Sequence, residues 1–255
     1  MPNSILVGSG KGGVGKTTVT INLGMALTLM GRDVVIVDVD IPTPNVGFHL
    51  DIPSDAVTLN DVVRGKASLE QAVFLYANRL KVIPSGIFID SLEGFDPDAY
   101  RNVMKQINKK FDVILFDCAP GLGNEVVNTF KGGEMMVVVT TPELPSVADT
   151  AKSVQIARDL GVDVKGIVVN RSGHFKAEMK DAQVSSTIND LPILGKIPED
   201  PTVPTSIAEG VPVVFGHPLS PAARAYKRLA YRLLGKKYVE RLSLADKINL
   251  FLKNY

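Results

Sequence analysis

Several things are scarce in this chain of 255 residues, and each scarcity removes a class of answer. Cysteine occurs once, at Cys118, so neither an intrachain disulfide framework nor a cysteine-only metal site can form, and nothing argues for an oxidising compartment. The three histidines, His49, His174 and His217, lie too far apart in sequence to make a ligand motif. Surplus charge is nearly absent, with 28 Lys+Arg against 27 Asp+Glu and a net charge of +1. That balance gives no global electrostatic case for coating nucleic acid and leaves room only for a local basic patch. No apolar run approaches the ~18 residues of a membrane span, and Met1-Pro2-Asn3-Ser4 offers no basic segment ahead of an apolar one, so a cytoplasmic protein is expected. What is abundant is the composition of a folded chain, 45% hydrophobic and 22% charged. At ~150 residues per domain the prior is one to two domains, and a single one is expected.

Short apolar runs alternate with helix-length segments throughout. Strands are expected at Ile5 to Val7, Val34 to Val37, Leu80 to Ile83, Val113 to Phe116, Met135 to Thr140, Val164 to Val169 and Ile193 to Ile197. The runs are continuous rather than alternating and mostly rich in Val and Ile, as parallel strands buried on both faces require. After Lys16, the residues Val19, Leu23, Ala26, Leu27 and Met30 recur at helical spacing, and Gly31 stands where a helix would stop. Asp96-Pro97 opens a helix running to about Lys110, while Thr58 with Asp61 and Ser68 with Gln71 read as capping pairs. The alternation predicts an α/β fold: a doubly wound, mostly parallel sheet with helices on both faces. Residues 1–235 form the expected domain, followed by a tail over 236–255.

Chemistry enters directly after the first strand. Gly8-Ser9-Gly10-Lys11-Gly12-Gly13-Val14-Gly15-Lys16-Thr17-Thr18 holds five glycines in the eight positions from 8 to 15, and Gly10, Gly15, Lys16 and Thr17 satisfy G-x-x-x-x-G-K-[ST]. Glycines let backbone N–H groups turn inward around phosphate oxygens, and the helix N-terminus adds its positive dipole end. Lys16 reaches the terminal phosphates and Thr17 binds Mg²⁺. Two later strands end in carboxylates: Asp38, followed by Asp40, and Asp117. The carboxyl ends of strands form the ligand crevice of a doubly wound sheet, so both are candidates for metal binding, Asp117 through water. A lone Asp-x-Asp is also a common turn feature, which leaves Asp38 and Asp40 open between the two roles.

Lys11, the second residue after Ser9 in this loop, is not part of the ordinary phosphate-loop pattern. The string Lys11-Gly12-Gly13-Val14-Gly15-Lys16-Thr17-Thr18 resembles the deviant Walker A motif of the MinD/ParA ATPases. Asp38-Val39-Asp40 with Asn45 resembles that family's switch I, Asp117-Cys118-Ala119-Pro120-Gly121 its Walker B and switch II, and Gly166 to Arg171 its strand of adenine contacts. Ile197-Pro198-Glu199-Asp200-Pro201, Gly210-Val211-Pro212-Val213 and Pro218-Leu219-Ser220-Pro221 are most similar to archaeal-type members.

The resemblance implies a P-loop ATPase binding ATP or ADP with Mg²⁺, and a homodimer that sandwiches ATP. Lys11 then crosses to the other subunit's nucleotide, Asp40 positions the attacking water, Thr18 meets the α-phosphate and Asp149 lies at the dimer interface. Asn170 reads the adenine edge, and Arg171 with the Pro198-Glu199-Asp200 turn lines the base pocket. Relatives that carry an iron–sulfur cluster across the dimer need a cysteine pair; Cys118 alone cannot supply one, and the plainer reading is a buried small apolar residue.

The tail over 236–255 carries five Lys/Arg against two Asp/Glu. Ser243 with Asp246 makes a capping pair, and Leu244, Ala245, Ile248, Phe251, Leu252 and Tyr255 share one helical face. Members of the family carry an amphipathic membrane-targeting helix here, so residues 243–255 are either a peripheral contact with the inner face of the cell membrane or a helix packed on protein; periodicity does not distinguish them. The function expected is a MinD-like ATP switch with an unidentified protein partner, acting in division-site selection or in positioning another structure. Its rivals are a ParA-type partition ATPase that binds DNA, disfavoured by the near-neutral body, and a cargo or metallocentre maturation factor.

Overall fold

The computed structural model describes residues 4–41, 43–86, 96–121, 135–174 and 176–239. Its strands are β1 (Ser4–Ser9), β2 (Val34–Asp38), β3 (Phe74–Tyr76), β4 (Leu80–Ile83), β5 (Val113–Asp117), β6 (Met135–Thr140), β7 (Asp163–Ser172) and β8 (Ile193–Pro198). They form one sheet in the order β3-β4-β2-β5-β1-β6-β7-β8. Every neighbouring pair is parallel except β3 with β4. The chain runs outward from β1 on one side and returns through β5 to β1's flank, then continues outward from β6 on the other. The carboxyl end of β1 therefore sits where the winding reverses, the place where an open α/β sheet forms its crevice.

The helices are α1 (Lys16–Leu29), α2 (Val46–His49), α3 (Leu59–Val63), α4 (Pro97–Lys110), α5 (Leu144–Asp159), α6 (Asp181–Thr187), α7 (Thr202–Ala208), α8 (Val213–Gly216) and α9 (Pro221–Leu233). Alternate strand residues feed two apolar layers. Leu6, Val35, Val37 and Phe116 meet Val103 and Ile107 of α4 and Val147 and Val154 of α5 on one face. Ile5, Val7, Ile36 and Leu115 meet Leu23 and Leu27 of α1 and Tyr226 and Leu229 of α9 on the other. Doubly covered strands explain the unbroken Val/Ile runs. Helix α1 goes further than the single apolar face its spacing predicts, because every residue from Lys16 to Leu27 is buried.

The caps form as their residues dictate. Asp96 Oδ1 accepts the N–H groups of Asp98 and Ala99 ahead of Pro97, and Thr58 with Asp61 closes a reciprocal box at α3. Ser68 and Gln71 exchange the same pair of bonds, but the segment they open is a turn and not a helix. Strand β3 is an addition to the sequence expectation. It is the antiparallel edge, joined to β4 by Ala77, Asn78 and Arg79, the first two at φ 47° and 54°, the left-handed positions of a tight hairpin turn. An alanine there and only three strand residues left no turn signal to read. The capping pair at Ser243 and the amphipathic helix expected over 243–255 lie outside the described residues.

Candidate nucleotide site

The loop between β1 and α1 turns on two glycines, Gly10 and Gly15, where a side chain would collide with neighbouring atoms. Gly15 stands at φ 85° and ψ 26° as the residue ahead of α1, and an added Cβ would lie 2.3 Å from Asn170 Nδ2. At Gly10 an added Cβ would lie 2.2 Å from the backbone of Asp149 at the first turns of α5, so the loop is pressed against that helix. Gly12 and Gly13 face open space, and with Lys11 they are exposed while Val14 is buried. The result is a cradle with a packed floor and an open mouth at the N-terminus of a helix, the geometry that receives phosphate groups.

Behind the cradle lies a buried knot of charge. Lys16, Asp38, Asp40 and Asp117 are all buried. Lys16 Nζ is 2.9 Å from Asp117 Oδ1 and 3.9 Å from Asp40 Oδ2, yet completes no well-angled hydrogen bond. Burial pulls the Lys16 ammonium down, and the charge and hydrogen-bonding capacity of Asp117 more than reverse this, leaving its pKa raised. Asp117 also accepts from Thr17 Oγ1 at 2.7 Å and from Thr20 Oγ1 at 2.8 Å. It is thus the hub to which Lys16 and the helix hydroxyls are tied.

The two aspartates after β2 have separate work. Asp38 lies directly across from Asp117 in the β2–β5 register, and its carboxylate accepts the N–H groups of Asp40, Asn45 and Val46 at 3.0–3.1 Å. Those bonds bend the chain after β2 and hang α2 from the strand end. Burial first, then the Asp117 charge, push Asp38 up to about 8. Asp40 takes the N–H and hydroxyl of Thr43 on Oδ1 and leaves Oδ2 toward Lys16. Burial raises its pKa against the opposing pull of Lys16.

Beside the β1–α1 loop, buried Asn170 donates from Nδ2 to Val14 O at 2.8 Å, joining the end of β7 to it. Arg171 follows at φ 53° and is exposed. Pro198 and Glu199 form the rim after β8, with Glu199 exposed. Asp200 is buried, and its oxygens accept from Thr202 N, Thr202 Oγ1 and Ala222 N. Its carboxylate therefore ties the turn to α7 and α9, an arrangement that the short string Pro-Glu-Asp-Pro did not announce. Asp149 is half-buried on α5 and pairs with Lys152 at 3.2 Å. Cys118 is fully buried, and burial pushes its thiol up to about 12, as suits a packing residue.

Magnesium fits this donor set. Thr17 Oγ1 and the Asp117 carboxylate are hard oxygen donors side by side at the start of α1, and the Lys16 ammonium between them and the cradle has hydrogen-bonding capacity to spare. A family model for ParA, described as the NUBPL iron-transfer P-loop NTPase, matches residues 1–234. The chain belongs to the MinD/ParA family of P-loop NTPases. Among MinD/ParA relatives, an uncharacterized ATP-binding protein of Methanocaldococcus jannaschii is 35% identical over 242 residues, covering 95% of this chain and 91% of that protein. The septum site-determining protein MinD of Pyrococcus horikoshii, solved with Mg-ADP, is 34% identical with a TM-score of 0.84, covering 91% of this chain and 96% of its own. MinD in the MinC:MinD complex of Aquifex aeolicus is 25% identical with a TM-score of 0.81, covering 94% and 98%. The MinD/ParA sheet, eight strands and mostly parallel, is the one described above.

Proposed function

We propose that this chain is an ATPase that dimerises on binding ATP with Mg²⁺, hydrolyses it to ADP and phosphate, and uses the cycle to position a cellular structure at the membrane. The division site and a surface appendage are candidate structures. The observation that carries the reading is the division of labour between two lysines of one loop. Lys16 is buried against Asp117, whereas Lys11 is exposed at the open mouth beside Gly12 and Gly13. A cation placed there faces outward, toward a nucleotide held by a second copy, where it acts as an in-trans charge clamp on the phosphates.

Binding follows from the cradle. The backbone of Gly10 to Gly15 and the N-terminus of α1 receive the phosphates, Lys16 turns from Asp117 to the terminal phosphates, and Thr18 lies beside the α-phosphate. Asn170, Arg171 and the Pro198–Asp200 turn frame the base. Thr17 and, through water, Asp117 would hold Mg²⁺, with Asp38 behind them; the ion would offset phosphate charge. Asp40 Oδ2 orients the attacking water and accepts its proton. Burial already holds the Asp40 pKa above the usual carboxylate range, which suits a proton acceptor.

The MinC:MinD complex of the Aquifex relative supports a protein partner. A tail over 243–255 that touches lipid would give each dimer two anchors, and avidity multiplies weak binding by ~10²–10⁴. Iron transfer, named in the family model's description, needs ligands that the single buried Cys118 does not offer. The deciding experiment is light scattering of the full chain with ADP and with ATP plus Mg²⁺, using Asp40→Ala to trap unhydrolysed ATP. A monomer that becomes a dimer supports the switch; a mass indifferent to nucleotide overturns it.

A further inference from the structure

The strongest unassigned feature lies at the edge of the sheet, away from the phosphate loop. Helix α9 packs on edge strand β8, and between them runs a groove of about 820 Å³, within the range of sites that enclose a small ligand or a short peptide. Half-buried Ile193 and Leu194 contribute apolar surface over buried Ala225 and Leu229, and Leu229 packs where Gly195 leaves room for it. The groove's charged lining is Lys196, Arg228, Arg232, Lys236 and Lys237 against one carboxylate, Asp181, with Tyr238 and two glycines beside them. In a chain of net charge +1, that concentration is local and strong.

Two of these cations are already engaged. Lys196 pairs with Asp181 at 2.7 Å. Arg232 donates to the carbonyls of Ile193 and Leu194 at 2.8 and 2.9 Å. This second contact covers the acceptors that an added strand would need, so recognition falls to side chains and not to sheet extension. Among the described residues Arg228, Lys236 and Lys237 have no carboxylate partner, and all three are exposed.

We propose that the α9–β8 groove docks a short acidic segment of a partner protein in which carboxylates alternate with apolar side chains. Arg228, Lys236 and Lys237 take the carboxylates and the apolar floor takes the rest. A concave site with an apolar floor suits such a segment better than a duplex, whose backbone offers no apolar group. Three unengaged cations would also neutralise only about three phosphates, giving weak and shallowly salt-dependent DNA binding. The chain's own tail is a poor occupant by charge, since residues 240–255 carry Arg241, Lys247 and Lys253 against Glu240 and Asp246. This docking site does not depend on the reading of the nucleotide site.

The test is fluorescence anisotropy on the full chain with a labelled peptide of alternating glutamate and leucine. The same titrations use a lysine–leucine peptide, a labelled DNA duplex and vesicles of phosphatidylglycerol in phosphatidylcholine. The variant Arg228→Glu/Lys236→Glu/Lys237→Glu is compared with Lys105→Glu/Lys109→Glu/Arg158→Glu, which makes the same change in charge at exposed positions elsewhere. Unchanged thermal melting establishes that each variant is folded. The expected result is selective binding of the glutamate–leucine peptide, weakened about tenfold or more by the groove variant and much less by the other. If the peptide fails to bind, or both variants weaken it equally, the proposal is wrong. Tighter binding of DNA or vesicles, lost in the groove variant, assigns the groove to nucleic acid or lipid and equally overturns it.

Discussion

Replacing Asp117 with asparagine probes the centre of the candidate site, because that one carboxylate serves Lys16, Thr17 and Thr20 together. The amide keeps the shape and one acceptor oxygen, so the main loss is the charge facing a buried ammonium. Removing one partner of a buried ion pair costs about 3–5 kcal/mol, since the other charge is left uncompensated. Two features reduce this. Lys16 can lean toward Asp40, already 3.9 Å away, and Asp38, which the Asp117 charge helps to keep protonated, ionises more readily and supplies compensating charge. A net cost of about 3 kcal/mol lowers the melting temperature of a chain this long by roughly 6–12 °C. Ligand binding then separates roles. Nucleotide at a hundredfold excess over Kd stabilises by about 2.7 kcal/mol; in Asp117→Asn, ADP alone should still raise the melting temperature, because Lys16 is released to the phosphates, while the further increment from Mg²⁺ should vanish. The assay is thermal unfolding at neutral pH with no ligand, ADP, and ADP plus Mg²⁺. A ligand-free variant melting within about 2 °C of the parent, or one with an intact Mg²⁺ increment, would refute the assignment of Asp117 as the hub.

Asp38 predicts a pH dependence: its folded pKa stands above the unfolded value, so its contribution to stability is complete below about 4 and is lost as pH rises toward and through about 8. Denaturant unfolding of the ligand-free chain across that window should show the loss, and Asp38→Asn should flatten it. Asn170→Ala leaves the buried Val14 carbonyl without its donor, costing about 1–3 kcal/mol by melting and weakening adenine nucleotide binding in calorimetry. Lys11→Ala should keep monomeric nucleotide binding and lose ATPase activity if, as proposed, the exposed lysine serves a second copy's nucleotide; full turnover would remove the in-trans role. Asp200→Ala should destabilise by about 1–3 kcal/mol, since three donors from Thr202 and Ala222 lose their acceptor; a melt unchanged from the parent would show that the turn holds α9 without it.

Parts of the fold were legible because a single physical cause wrote them. Continuous Val/Ile runs marked the strands that are covered on both faces, and Asp96-Pro97 and Gly31 marked helix ends through capping and left-handed geometry. The elements that escaped have no such signature. Strand β3 is three residues long and its turn uses Ala77, a residue with no preference for positive φ. The all-round burial of α1 arises from α9 packing on it from the far end of the chain, and local periodicity carries no record of that partner.

The site divides in the same way. The phosphate loop was readable because glycine spacing and lysine position are themselves the geometry: Gly10 and Gly15 are required by contacts with Asp149 and Asn170 that any Cβ would violate. Carboxylates are different, since one residue type serves as metal ligand, proton acceptor or backbone cap, and the alternatives separate only when donors are seen. Asp117 faces a lysine and two hydroxyls, Asp38 faces three backbone N–H groups, and Asp200 faces the starts of two helices. Asp38 is consequently where the Asp117 strand end and the loop after β2 meet. Any change of charge at Asp117, its partner across the β2–β5 register, alters the field on the carboxylate that suspends α2. The proposed switch needs a segment whose position depends on charge beside the phosphate loop, and the hydrogen-bonded Asp38 between Asp117 and the loop at Asn45 and Val46 is the residue through which such a dependence would act.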